Sequence, residues 1–118
     1  MVGMEQIETF RLLGDETRLR ALALMEDQGE LCVCELVAGL GLSQPKISRH
    51  MAALRDAGLV EGRRDAQWVF YRISRALAGW QKQVIAAALE GVAAEPVLQE
   101  DKTRLENMNS RPMRSTAA

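Results

Sequence analysis

The stretch LSQPKISRHMAALRDAGLV (residues 42–60) decides the reading of this chain. Ser43 is a good N-cap, and Pro45 falls in the first helical turn, where its missing N–H costs nothing. Ile47, Met51 and Leu54 then recur at helical spacing and form an inward stripe over a helix at 44–57, which Gly58 ends. Gln44, Lys46, Ser48, Arg49 and His50 lie on the opposite side or near the N-terminal end. Just before this helix, Leu36 and Leu40 mark a shorter one from about Cys34 to Leu40, and Gly41 suits a left-handed C-cap. Two helices joined by a tight turn with glycine make a helix-turn-helix.

Outward from this pair, the pattern stays consistent. Residues 5–13 and 16–28 read as helices, with Gly14 and Asp15 as the break and the next cap. Glu30-Leu31-Cys32 is a short segment that can be extended. Downstream, Leu59–Arg63 and Gln67–Ile73 read as two strands around a polar turn at Arg64-Asp65-Ala66, with Val69, Tyr71 and Ile73 on one face and Trp68, Phe70 and Arg72 on the other. A fifth helix is expected over 75–93 until Glu95-Pro96 breaks it. The fold class is therefore mainly α with a small β-hairpin, a winged helix-turn-helix. The expected division is one domain at 1–96, with a polar, flexible tail at 97–118 that begins as a frayed helix.

Charge agrees with this layout. The 118 residues carry 15 Lys and Arg against 16 Asp and Glu, but the balance is uneven. Residues 1–42 hold three bases and eight acids, and residues 43–75 hold seven bases and three acids. The basic block coincides with the helix-turn-helix and hairpin, and a local footprint matters more than net charge. In such motifs the N-terminal half of the second helix enters the major groove of double-stranded DNA. Gln44 and Arg49 can read base edges, Lys46 and Ser48 can hold phosphate, and His50 faces solvent or touches phosphate. Arg63 and Arg64 flank the wing tip, where a minor-groove or phosphate contact is natural.

Composition excludes several classes. The chain has no run of 18 apolar residues to span a membrane. MVGMEQIETF places acids where a signal peptide needs bases, so a cytoplasmic location with reduced thiols is expected. Two Cys and one His are too few for a structural zinc site. No general acid–base pair, phosphate loop or cofactor motif supports an enzyme, although a small thiol enzyme or metal carrier stands as an alternative class.

Cys32 and Cys34 form the chemically loaded segment. Soft thiolates favour thiophilic ions, and a helix start favours the thiolate. On a helix, residues two apart do not face each other; in an extended segment they do. One ion gripping both must find, or force, a non-helical start to the third helix, which packs on the reading helix. A pair of buried, inert cysteines is the alternative.

LGDETRLRAL (13–22), ELCVCEL (30–36), LSQPKISRHMAALRDAGLV and WVFYRI (68–73) together resemble the ArsR-type (ArsR/SmtB) winged-helix repressors, over residues 5–93. The segment ELCVCEL followed by SQPKISRHM is similar to the arsenite-responsive branch. The resemblance implies a repressor that leaves its operator when As(III) or Sb(III) binds Cys32 and Cys34. Members often carry a third Cys three residues after the second; here position 37 is Val. A small exogenous ligand, such as a thiol, would complete the coordination. Residues 75–93 contain neither His nor Asp, so the zinc or nickel site of other branches is not expected there. The resemblance also implies a homodimer through the first and last helices, and Ile7, Phe10, Leu77, Trp80, Val84 and Ala88 supply an apolar stripe for it. Oxidation of the two thiols, giving a redox-responsive repressor, is the competing reading.

Overall fold

The computed structural model describes residues 1–114; the last four residues of the expected tail lie outside the described residues. Helix α1 (Met4–Leu13) ends at Gly14, whose N–H reaches the Phe10 and Arg11 carbonyls. Helix α2 (Glu16–Gln28) starts at Asp15, whose carboxylate accepts the Arg18 N–H at 3.0 Å. Strand β1 (Leu31–Cys32) leads directly into α3 (Val33–Leu40). Gly41 adopts φ +66° there, a left-handed conformation that glycine takes without steric cost and that turns the chain towards α4 (Gln44–Asp56). Strands β2 (Val60–Asp65) and β3 (Trp68–Ile73) form the wing, followed by α5 (Gly79–Val92) and α6 (Pro96–Glu106).

The sheet is antiparallel with order β1-β3-β2, so β1 pairs Leu31 with Tyr71 and Cys32 with Phe70. The core gathers Leu12, Leu22, Met25, Leu31, Leu36, Ile47, Met51, Leu54, Leu59 and Leu105, all essentially inaccessible to water. Every element except the wing tip sends side chains into it. The inward stripe of α4 is the expected one: Ile47, Met51 and Leu54.

Four expectations change. The hairpin turn sits two residues later than expected, because Arg64 pairs with Val69 and Asp65 with Trp68, leaving Ala66 in the turn at φ +56°. The fifth helix begins at Gly79 rather than 75, since Ser74 Oγ accepts the Ala76 N–H and holds the chain in a turn. Both faces of β3 are covered: Tyr71 packs in the core, while Phe70 is buried beneath arginines on the other face.

The largest correction is the segment after Pro96. Instead of fraying into a flexible tail, the expected helix is α6, docked on α2 and α3 with Leu105 in the core. Buried Asp101 takes two hydrogen bonds from Arg20 (3.0 and 2.7 Å) and one from Arg104. Arg20 and Arg104 also donate to the Leu40 and Gly39 carbonyls at the end of α3. Gly39 permits this close packing; a Cβ there would lie 2.8 Å from the Leu24 side chain. A helix was expected here but not its docking, which the sparse apolar stripe hid because it rests on a buried ion pair and carbonyl capping.

Candidate functional site

Helix α4 presents Gln44 and Arg49 to solvent, with Lys46 and Ser48 half-buried. Gln44 Nε2 donates to Ser48 Oγ at 2.9 Å, so these polar groups share one face, one turn apart. Ser43 Oγ accepts the Lys46 N–H at 3.4 Å and starts the helix cleanly. The N-terminal end of α4 is therefore an open, donor-rich surface suited to a polyanion.

His50 departs from its expected orientation. It turns towards α2, where Nδ1 stands 3.2 Å from Arg18 Nη1 and Nε2 lies 4.0 Å from Asp15 Oδ2. Burial pushes its pKa below the ordinary value; Asp15 opposes this, and Arg18, Lys46 and Arg49 reinforce it.

The two wing arginines also separate. Arg64 is exposed on β2. Arg63 instead donates to Glu30 (3.0 and 2.5 Å) and Asp65 (3.2 Å), and its guanidinium lies 5.0 Å from the Phe70 ring centre. These acceptors raise its pKa, Glu30 first. Arg63 braces the base of the wing against the segment before the cysteines.

Cys32 and Cys34 come together at the start of α3. Cys32 is the N-cap, in extended conformation (φ −80°, ψ 166°), and Cys34 is one residue inside the helix. The non-helical start is already built, and α3 need not unwind for the sulfurs to meet. They are joined as a disulfide with Cα atoms 5.4 Å apart, where free thiols were expected. Cys32 Sγ also accepts the Glu35 N–H at 3.3 Å, while Glu35 Oε1 accepts the Cys32 N–H at 2.9 Å, a reciprocal capping box. Cys32 is buried and Cys34 half-buried. Among the described residues, no group of three or more His, Cys, Asp or Glu side chains gathers to hold a metal ion.

Glu35, fully buried, is the residue that the motif reading missed. Arg111 Nε reaches it at 2.7 Å and Arg114 Nη2 at 2.8 Å, both from the strap that follows α6. Arg114 also donates to the Glu30 carbonyl and lies 4.3 Å from the Phe70 ring centre. Burial pushes the Glu35 pKa up, but Arg114, the Cys32 N–H and Arg111 outweigh it, and the net shift is downward. The spacing of Cys32 and Glu35 as N-cap and N3 was the one available signal in the sequence. Nothing local pointed to Arg111 or Arg114, some 76 and 79 residues away.

On another face, Ile7 and Phe10 are exposed. Phe10 stacks on Trp80 with ring centres 6.4 Å apart, and Val84 and Ala88 are half-buried along α5. Gln81 Nε2 donates to Thr9 Oγ1 at 3.2 Å and locks α1 to α5. Leu77 differs from the rest of this stripe: it precedes α5 and is buried in the protomer's own core.

A helix-turn-helix with an open second helix and a flanking wing defines a winged-helix DNA-binding regulator. Residues 15–62 match the family described as bacterial regulatory protein, arsR family. The arsenic resistance transcriptional regulator ArsR2 of Pseudomonas putida is 45% identical over 109 residues, covering 92% of this chain and 93% of that one. The arsenical resistance operon repressor of Escherichia coli K12 is 48% identical over 82 residues, 70% of each chain. Among solved structures, HlyU from Vibrio cholerae N16961 superposes with a TM-score of 0.66 at 35% identity, over 75% of this chain and 92% of that one. The AntR antimony-specific transcriptional repressor gives 0.63 at 26%, over 75% and 78%. The chain belongs to the ArsR family of transcriptional regulators. The named relatives are regulators and repressors, not enzymes.

Proposed function

We propose that this protein is a dimeric arsenic-resistance repressor, released from its operator when As(III) or Sb(III) bridges Cys32 and Cys34. The observation that carries this reading is the convergence of the two sulfurs at the N-cap of α3, the first helix of the helix-turn-helix. The names of the P. putida and E. coli relatives and of AntR support the inducer class.

In the reduced protein, two thiols exchange with two hydroxides of arsenous acid and release two waters. The third hydroxide, or a small thiol that replaces it, completes the coordination, since Val37 offers no donor. Ligation draws on the Cys32 Sγ lone pairs that cap the Glu35 N–H, and so loosens the capping box. Helix α3 packs directly on α4, which carries the change to the reading face. Gln44, Lys46, Ser48, Arg49 and Arg64 hold DNA in the inducer-free state. Arg63 and His50 act from behind that surface. Two protomers joined through Ile7, Phe10, Trp80, Val84 and Ala88 place their reading helices on half-sites about one helical turn apart. Residues 1–96 carry both contacts, and the protein acts in the cytoplasm. No described helix is long and apolar enough to cross a membrane.

Coupling is reciprocal, so operator DNA weakens arsenite binding by the same factor. Moving the DNA-fitting state from 99% to 1% needs a differential of about 5.5 kcal/mol. The test is operator retention by the Cys32→Ser, Cys34→Ser double variant in a gel shift. It should bind DNA as the parent does and ignore arsenite; arsenite release equal to the parent's would overturn the ligand assignment.

The disulfide favours a second reading, a redox-responsive repressor. Here hydrogen peroxide takes two electrons and two protons from the thiols, forming the S–S bond and two waters. Titrating the reduced protein on DNA with peroxide and with arsenite separates the two. Release by peroxide alone selects the redox reading.

A further inference from the structure

Arg18 does more than continue α2. Its Nε donates to the Leu12 carbonyl at 2.7 Å and its Nη2 to the Arg11 carbonyl at 3.3 Å, both at the C-terminal end of α1. These are carbonyls that a helix end leaves without intrahelical partners. Its Nη1 stands 3.2 Å from His50 Nδ1 on α4. One guanidinium therefore joins three helices: α1, which bears exposed Ile7 and Phe10; α2; and the reading helix.

The chemistry sets the state of His50. A guanidinium can only donate, so Nδ1 must accept, and the ring must be neutral with its proton on Nε2. Nε2 in turn lies 4.0 Å from Asp15 Oδ2. Asp15 is itself fixed by accepting the Arg18 backbone N–H. The charged groups around the ring are Asp15 and Arg18 from α2 and Lys46 and Arg49 from α4.

We propose that Arg18 and neutral His50 form a latch that sets the angle of the reading helix for DNA, with His50 acting as a positioning residue rather than a phosphate contact. Protonating His50 places an N–H against the Arg18 guanidinium and breaks the latch. This rests on α4 being the DNA-reading helix. The two roles of His50 predict opposite pH dependences. A phosphate contact gains affinity when the ring becomes charged, whereas a latch loses it. The lowered pKa of His50 agrees with the latch and places its loss below the ordinary value of 6.5. His50 is the only histidine in the chain, so no other imidazole titrates in this range.

The experiment is fluorescence anisotropy of the reduced full-length protein on a labelled duplex from the promoter upstream of its own gene, between pH 5 and 7.5. Parent affinity should fall about tenfold towards pH 5, the size of one charge-assisted hydrogen bond. His50→Leu and Arg18→Gln should bind about tenfold more weakly at pH 7.5 and show no pH slope. His50→Asn, whose amide oxygen replaces Nδ1 as acceptor, should recover binding relative to His50→Leu and also lack the slope. Circular-dichroism melts confirm that each variant is folded. Affinity that rises with acid, a slope that survives in His50→Asn, or unchanged binding by Arg18→Gln each overturns the latch. Arg49→Ala, which leaves the latch atoms in place, tests the underlying reading separately: unchanged binding there would mean that α4 is not the reading helix.

Discussion

The starts of α3 and α4 use the same local device in opposite surroundings. At α4, Ser43 Oγ caps the Lys46 N–H in the open, beside exposed Gln44 and Pro45. At α3, Cys32 Sγ caps the Glu35 N–H in a closed site, with Glu35 held by Arg111 and Arg114. An oxygen cap in water is chemically quiet and leaves room for a phosphate backbone. A sulfur cap in a buried ionic cluster is reactive, and any change at it must be absorbed by packed neighbours. One start lies open to solvent, and the other is tied into its surroundings.

Breaking the closed cap should have the larger effect. Glu35→Ala leaves two guanidiniums and the Cys32 N–H without their acceptor. We expect a loss of about 2–4 kcal/mol in urea unfolding, reduced from the full cost of a broken buried pair because Arg111 and Arg114 reach solvent. A loss under about 1 kcal/mol would mean that the strap contributes little. The charge itself is tested by Glu35→Gln. Because the folded pKa of Glu35 is lowered, its contribution is fully present above the unfolded value of 4.5 and disappears as pH falls through the lower folded value. The stability gap between parent and Glu35→Gln should therefore close between about pH 4.5 and the acid limit of the native state. A gap that is constant with pH would assign the effect to packing. The open cap is the small case: Ser43→Ala should cost about 1 kcal/mol, read by the same unfolding curves, and leave α3 unaffected. A loss as large as that of Glu35→Ala would erase the contrast between the two ends.

The helix-turn-helix was legible because its signals are local. A cap, an early proline, an i, i+4 stripe and a glycine turn all lie within residues 32–58, and each reports on backbone a few residues away. The wing strands were visible by composition, but their turn was misplaced by two residues, since register depends on which pairs across the hairpin close. At the candidate site, helical geometry alone could place Gln44 and Ser48 on one face and Arg49 away from the buried stripe. His50 could not, because Arg18, 32 residues earlier, turns it inward. Arg63 was assigned to the wing tip for the same reason: its partner Glu30 is 33 residues away.

Sequence alone therefore determined the helix-turn-helix, the presence of the wing strands, the polar face of α4 and the place of the two cysteines at the start of α3. Each of these follows from short-range periodicity or from the chemistry of one residue type. Tertiary structure decided how the sulfurs meet without unwinding α3, that His50 turns towards Arg18 and Arg63 towards Glu30, and that residues 96–114 clamp α3 at both ends. Those outcomes rest on ion pairs and hydrogen bonds between residues far apart in the chain. Such bonds form only after the core has brought their partners together, and a polar stretch such as QEDKTRLENMNSR carries no periodic mark of the partner it will find.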